Sequence, residues 1–329
     1  VYGMIRSGDT KMDKILIWLI PAILILLGAA LWLICRRLLW MALARDGDFT
    51  ADVAEDFKKQ MDESRDLIEH GRALYDSLPY EDLYLTSFDG LRLHARFYKN
   101  GDGRRTLLLS HGFRSSGRGD FAAVLPLYYE TLGCSLLVLD HRAHGESEGR
   151  YITYGIRERF DVRDWARYLT DRAGGDVQIV LDGISMGATA VLMACGTELP
   201  DTVTGVIADC GFTSPWDIFS HILHSTFHLG DFPILYLVGH MARRRAHFGF
   251  REATTVRAVE NWTKPALFIH GTADDFVPPA MTEAAYAACP AADKTLILVE
   301  GAMHGCSYLR DRARCESALR QFFANVLEK

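Results

Sequence analysis

The chain has 329 residues, of which 49% are hydrophobic and 24% charged. That usage is ordinary for a globular protein and excludes a disordered, collagen-like or disulfide-scaffold chain. Lys and Arg number 36 against 42 Asp and Glu, giving a net charge of −6 with no long basic stripe, so nucleic acid is not an expected partner.

The first element is Ile15 to Cys35, 21 residues without a charge. At about 1.5 Å rise per residue it reaches across a bilayer core of about 30 Å. Lys14 precedes it, Arg36 and Arg37 follow, and Trp18, Trp32 and Trp40 lie near its ends, where aromatic rings suit the interface. A cleaved signal peptide would have an apolar core of only about 7–15 residues followed by a small-x-small site. Here the run is longer and leads into Cys35-Arg36-Arg37-Leu38-Leu39-Trp40, which favours an uncleaved single-pass anchor over a signal or a buried core helix. Arg6, Lys11 and Lys14 flank it on one side, and Arg36, Arg37 and Arg45 on the other. If translation starts at Met12 rather than Met4, the positive-inside rule leans toward a cytoplasmic catalytic domain. Seven scattered cysteines without a C-x-x-C pair lean the same way and indicate no disulfide framework. The division is therefore a tail (1–14), an anchor (15–35), a juxtamembrane connector (36–80) and a body (81–329). In the connector, Val53, Phe57, Met61, Leu67, Ile68 and Leu74 recur at a spacing that predicts amphipathic helix.

In the body, Glu81 to Thr86 and Leu91 to Tyr98 flank Phe88-Asp89-Gly90, a hairpin signal. Six apolar runs follow: Thr106 to Gly112, Ser135 to His141, Val177 to Gly183, Val203 to Gly211, Ala266 to Gly271 and Thr295 to Gly301. Apolar residues at successive positions suit strands buried on both faces of a parallel sheet. Helical patterns fall between most of them, at Asp120 to Leu132, Ile156 to Arg172, Ser185 to Glu198, Pro279 to Cys289 and Ser307 to Leu327. The expected class is α/β, a mostly parallel eight-stranded sheet with helices on both faces. Residues 212–263, rich in aromatics and without a strand pattern, are expected to form a small helical cap.

Gly183-Ile184-Ser185-Met186-Gly187 is G-x-S-x-G, placed where a buried strand turns into a helix. That context exposes a serine on a sharp turn and makes the short motif specific. A serine hydroxyl needs a base to take its proton and a third group to orient that base. In the strand-end loops that follow, Asp274, Asp275 and then His304 come in the chain order acid, histidine, with Asp209 a further candidate acid. His221, His224 and His228 would share a helical face in the cap, a set that would suit zinc and that also reads as a plain polar face. Arg243-Arg244-Arg245 reads as a solvated helix end or as a contact with an anionic membrane surface.

With these motifs in place, the chain from about Glu81 onward resembles an α/β-hydrolase of the serine-hydrolase type. It is similar to the monoglyceride-lipase, lysophospholipase and serine-aminopeptidase-like branch. Ser110-His111-Gly112-Phe113, the run Asp140 to Gly149 with Ala143 where Gly is commoner, and His270-Gly271-Thr272-Ala273-Asp274 before Val277-Pro278 carry the likeness beside GISMG. The resemblance implies the α/β-hydrolase fold and a triad of Ser185, His304 and Asp274 rather than Asp275. It also implies oxyanion donors from the backbone N–H groups of Phe113 and Met186, a role for His111 in bracing that turn, and no cofactor or metal. The expected partners are an acyl ester substrate and, through Ile15 to Cys35, the bilayer. A peptidase of the aminopeptidase-like branch and a silent hydrolase fold used for interaction are the competing readings. The intact triad set argues against the silent one.

Overall fold

The computed structural model describes residues 9–48 and 55–327. Arg6 and Val53 lie outside the described residues. Three helices precede the body: α1 (Asp9–Leu43), α2 (Glu55–Glu63) and α3 (Arg65–Ser77). The body is one eight-stranded sheet of β1 (Glu81–Thr86), β2 (Arg92–Tyr98), β3 (Arg105–Ser110), β4 (Ser135–Asp140), β5 (Gln178–Ile184), β6 (Val203–Asp209), β7 (Ala266–Gly271) and β8 (Lys294–Val299). The strand order is β1-β2-β4-β3-β5-β6-β7-β8. β2 runs antiparallel to both of its neighbours, and every other pairing is parallel. This is the α/β-hydrolase fold expected from the sequence.

Between the strands lie α4 (Gly117–Asp120), α5 (Glu158–Arg172), α6 (Met186–Ala194), α7 (Pro215–Ser225), α8 (Ile234–Arg245), α9 (Thr255–Val259), α10 (Pro279–Ala288), α11 (Ser307–Arg310) and α12 (Arg312–Leu327). One face of the sheet packs Trp165, Leu169 and Val191 from α5 and α6. The other packs Leu319, Phe322 and Phe323 from α12 with Phe121 and Leu125. Two expected helices differ from the pattern. Asp120 to Leu132 holds only the end of α4 and a π-type turn at Leu127–Thr131, and the C-terminal run breaks at Asp311 into α11 and α12. Pro126 precedes the π turn, and a proline has no N–H to donate to a longer helix.

The apolar helix also differs. It does not end at Cys35 but continues to Leu43. Ile15 to Ala30 is exposed along its whole length, so it adds nothing to the core, and Ile15–Leu43 is long and apolar enough to cross a membrane. Cys35, Leu39 and Leu43 repeat every fourth residue, share one face and are buried against the cap helices α7 and α8. The helix end is then fastened polar group by polar group. The Ile152 N–H donates to the Leu43 carbonyl (2.7 Å), and Ala44 bridges Tyr151. Arg45 donates to the carbonyls of Ser147 (2.6 Å) and Gly145 (2.5 Å).

The loop after β4 is held by a buried ion network. Arg142 grips Asp161 of α5 at 2.7 Å through two nitrogens and Asp89 of the β1–β2 turn at 2.9 and 3.1 Å. Removing one partner strands a buried charge, which costs about 3–5 kcal/mol. We therefore expect Arg142→Ala to lower the unfolding free energy by about that amount, read by denaturant unfolding in detergent. A loss below about 1 kcal/mol would mean that apolar packing holds the loop instead.

Candidate active site

Ser185 stands between β5 and α6 with φ 57° and ψ −117°, a conformation that only a tightly constrained turn imposes on a residue with a side chain. The neighbouring glycines explain how the turn fits. A Cβ on Gly187 would come within 1.8 Å of the Ser110 carbonyl, and one on Gly183 within 2.3 Å of the Gly187 backbone. The Ser185 N–H donates to the Asp209 carbonyl (2.8 Å), tying the turn to the end of β6.

His304 lies in the loop after β8 and Asp274 in the loop after β7. The Ser185 hydroxyl donates to His304 Nε2 (2.8 Å), and His304 Nδ1–H donates to Asp274 Oδ2 (2.7 Å). Asp274 also accepts from the backbone N–H groups of Phe276 (3.1 Å) and Val277 (2.8 Å), and its Oδ2 lies 3.1 Å from His270 Nε2. Asp275 is exposed, and its carbonyl faces His221 Nε2 at 2.9 Å. Asp209 is buried but turns to the Ser307 hydroxyl (3.2 Å). The structure thus brings together the serine, histidine and acid that the loop motifs point to, and leaves Asp275 and Asp209 apart from the imidazole.

Phe113 follows β3, and Met186 opens α6. Sequence reasoning missed most of what supports the first turn. Asp120 accepts the Gly112 N–H (2.6 Å) and the Ser115 hydroxyl (2.5 Å). His111 Nδ1–H donates to the Gly112 carbonyl (2.8 Å) while its Nε2 accepts the His141 N–H (3.2 Å), which fixes the tautomer. Arg114, in a left-handed conformation at φ 53°, gives its N–H to His144 Nε2 (3.0 Å). Its guanidinium donates to the carbonyls of Met41 (3.1 Å), Ala44 (2.7 Å) and Gly47 at the end of α1. Short local motifs cannot report such pairings, which join residues about seventy positions apart.

Burial opposes charge on His304, but the Asp274 carboxylate and its hydrogen bond outweigh that, with Asp209 and Asp120 adding to them, so the imidazole pKa is raised. Burial likewise works against ionised Asp274, yet His304, His270 and the Val277 N–H hold it well below the usual carboxylate range. Three other acids line a cavity that Ser185 and His304 also line. Burial raises Asp120 and Asp209, and pushes Asp182, paired with the Tyr128 hydroxyl at 2.7 Å, up to about 7.

The histidines of the cap do not share a helical face. α7 ends at Ser225, His228 lies beyond it at φ 53°, His221 turns to Asp275, and His224 lies 3.4 Å from Asp231. Cys210 lies close to Asp274 and His304, but both His304 nitrogens are already engaged, one by the Ser185 hydroxyl and the other by Asp274. The group of Asp82, His94 and Glu146 is no freer, because both His94 nitrogens already face carboxylates, Asp140 at 2.8 Å and Asp82 at 2.9 Å.

Residues 148–329 match the model of the prolyl oligopeptidase family. The chain belongs to that family. It is similar to the α/β-hydrolase domain-containing protein WAV2 of Arabidopsis thaliana, 30% identical over 232 residues, covering 68% of this chain and 71% of the relative. A membrane protein of Saccharomyces cerevisiae is 25% identical over 234 residues, covering 71% and 76%. An esterase of Pyrococcus furiosus shares the fold with a TM-score of 0.61 at 20% identity, over 85% of this chain and 98% of the esterase. These likenesses place the chain among the α/β-hydrolases. The monoglyceride-lipase, lysophospholipase and aminopeptidase-like branch, expected from the loop motifs, is finer than they resolve.

Two measurements bear on the site. Asp274→Asn should reduce kcat/KM for an ester by about four orders of magnitude, as loss of the orienting acid does, while Asp275→Asn stays within a few-fold. Equal losses would refute the choice of acid. Because a base must be neutral to act and the His304 pKa is raised, kcat/KM should climb with pH through an apparent pKa above the ordinary histidine value of 6.5. A midpoint below that value would separate the observed base from His304.

Proposed function

We propose that the protein is a membrane-anchored serine hydrolase of carboxylic esters. The observation that carries this reading is the hydrogen-bonded relay from Ser185 through His304 to buried Asp274, opening onto an apolar cavity. In the reaction, the Ser185 hydroxyl attacks the acyl carbonyl while His304 Nε2 takes its proton. Asp274 stabilises the imidazolium and fixes which nitrogen faces the serine. The developing oxyanion is met by the backbone N–H groups of Phe113 and Met186, the second at the positive end of α6. His304 then protonates the departing alkoxide, leaving an ester on Ser185. A water deprotonated by His304 attacks this ester and releases the acid. No cofactor enters the sequence of steps.

Support for the anchor is the exposed run Ile15 to Ala30 with the cationic Arg36 and Arg37 just beyond it. The flanking cations are equal in number on the two sides, and the scattered cysteines without a C-x-x-C pair lean toward the cytoplasmic side for the body. A second reading, peptide hydrolysis, is favoured by the family match. It fits the apolar cavity at Ser185 less well, since a buried peptide amide finds no hydrogen-bond partner in a hydrocarbon lining.

The deciving experiment is fluorophosphonate labelling with turnover of p-nitrophenyl esters and aminoacyl p-nitroanilides, with wild type beside Ser185→Ala. We expect labelling and ester turnover in wild type only, with a loss in the variant of about six orders of magnitude or down to background. Labelling accompanied by anilide but not ester turnover would establish the peptidase, and absence of labelling would leave a silent hydrolase fold.

A further inference from the structure

We infer that the last two turns of α1 are a wall of the substrate site, and that the group they receive is the long acyl chain of a lipid ester. The inference rests on the reading of Ser185 as a hydrolytic nucleophile. A cavity begins at Ser185 and runs between α1 and the cap. Helix α1 supplies Leu38, Met41, Ala42 and Leu43. The cap supplies Leu223 and Phe227 from α7 and the loop beyond it, and Leu235 and Val238 from α8. Phe113 and Phe276 flank the serine. Among the described residues of the lining, Tyr154 is the only one apart from Ser185 with a side-chain oxygen or nitrogen, and its hydroxyl donates to the Ala42 carbonyl (3.0 Å).

The chemistry of that lining selects the occupant. A peptide would leave its amides facing hydrocarbon with no partner, which is unfavourable for every group buried. A methylene chain loses nothing there, and each methylene taken from water strengthens binding by about fourfold. The surroundings indicate the source. Phe227, which lines the cavity, is partly exposed, and Phe232 and Tyr236, on either side of the lining residues Ile234 and Leu235, are also exposed. Apolar surface is therefore continuous from the cavity to the outside of the cap, beside a helix whose free part is apolar on every side. Helix α1 is not a loose neighbour. Arg114 holds its last carbonyls, and the residue before Arg114 is Phe113, so the cavity wall and the oxyanion turn are fastened to one another.

The test is the ratio of p-nitrophenyl palmitate to p-nitrophenyl acetate turnover by full-length protein in detergent, with fluorophosphonate labelling of every variant. Leu38→Trp and Met41→Trp fill the cavity from the α1 side and should lower the ratio at least tenfold while Ser185 still labels. Leu33→Trp, on the exposed part of α1, should leave the ratio unchanged. If bulk at Met41 prevents folding, Met41→Ala enlarges the cavity and should move the optimum toward longer chains. An unchanged ratio in labelled Leu38→Trp and Met41→Trp, or an unchanged optimum in Met41→Ala, overturns the inference and leaves the hydrolase reading intact. Faster turnover of phenylalanyl or leucyl anilides than of palmitate also overturns it, because the cavity would then hold a side chain. Failure of wild-type Ser185 to label removes the hydrolase reading itself.

Discussion

The close approach of β5, α6 and β3 around Ser185 leaves no space for a side chain at Gly183 or Gly187. With both positions bare, the chain reverses from strand to helix within a few residues and carries Ser185 through φ 57°. Holding a side-chain-bearing residue in such a region costs on the order of 1–3 kcal/mol, which only well-packed surroundings can sustain. Here they are the sheet beneath, where Val180 and Leu181 are fully buried, and helix α6, buried along its whole length. The turn fixes more than the serine. It sets Ser185 at the start of α6 and sets the distance that the loops after β7 and β8 must span to reach it.

The carboxylates around this turn differ according to the donors each one meets. All of them lose hydration, which favours the neutral acid. Asp274 gains two backbone N–H groups and two histidine rings and remains ionised. Asp182 has a tyrosine hydroxyl, and burial pushes it to about 7. Asp209 has a serine hydroxyl and is raised as well. Neighbouring acids of one chemical type are thereby divided into one anion able to stabilise an imidazolium and several groups that lean toward the neutral form. His270 has a part in this division. Buried beside Asp274, its Nδ1 meets the Thr282 hydroxyl at 2.7 Å and its Nε2 lies 2.8 Å from the Val277 carbonyl, which keeps the acid loop closed around Asp274.

Much of the body was legible because each buried strand and each strand-end motif is contiguous. The six apolar runs, the serine turn and the loops bearing Asp274 and His304 all declare themselves within about ten residues of sequence. Ala143 is a smaller case of the same kind. It takes the place where glycine is commoner in the family loop, and the backbone there has φ 61°, a region open to glycine without penalty. What stayed hidden depends on distant partners. No local pattern around Arg114 announces that its side chain reaches the end of α1, about seventy residues away. The extent of α1 was hidden for a related reason. Hydropathy marks where charge is absent, whereas the helix goes on past Arg36 and Arg37 because Leu39 and Leu43 have a cap to pack against.

The junction between α1 and the hydrolase body is an electrostatic contact as well as an apolar one. The last carbonyls of a helix carry about half a negative charge in sum. That of Met41 in α1 and that of Ala44 just beyond it meet a guanidinium, and the Tyr154 hydroxyl donates to that of Ala42. Gly47 permits the approach, since a Cβ there would come within 2.5 Å of the Arg114 guanidinium. Charge-assisted bonds of this kind are roughly twice as strong as neutral ones and hold their geometry closely. Undocking α1 would therefore expose the apolar wall at Leu38 and Leu43, strand the Arg114 charge beside Phe113, and release the turn that carries one of the proposed oxyanion donors. The helix that reads in sequence as an anchor and nothing more is, by these contacts, continuous with the catalytic machinery proposed for Ser185. The proposed catalytic geometry and the proposed membrane attachment then share a single set of bonds.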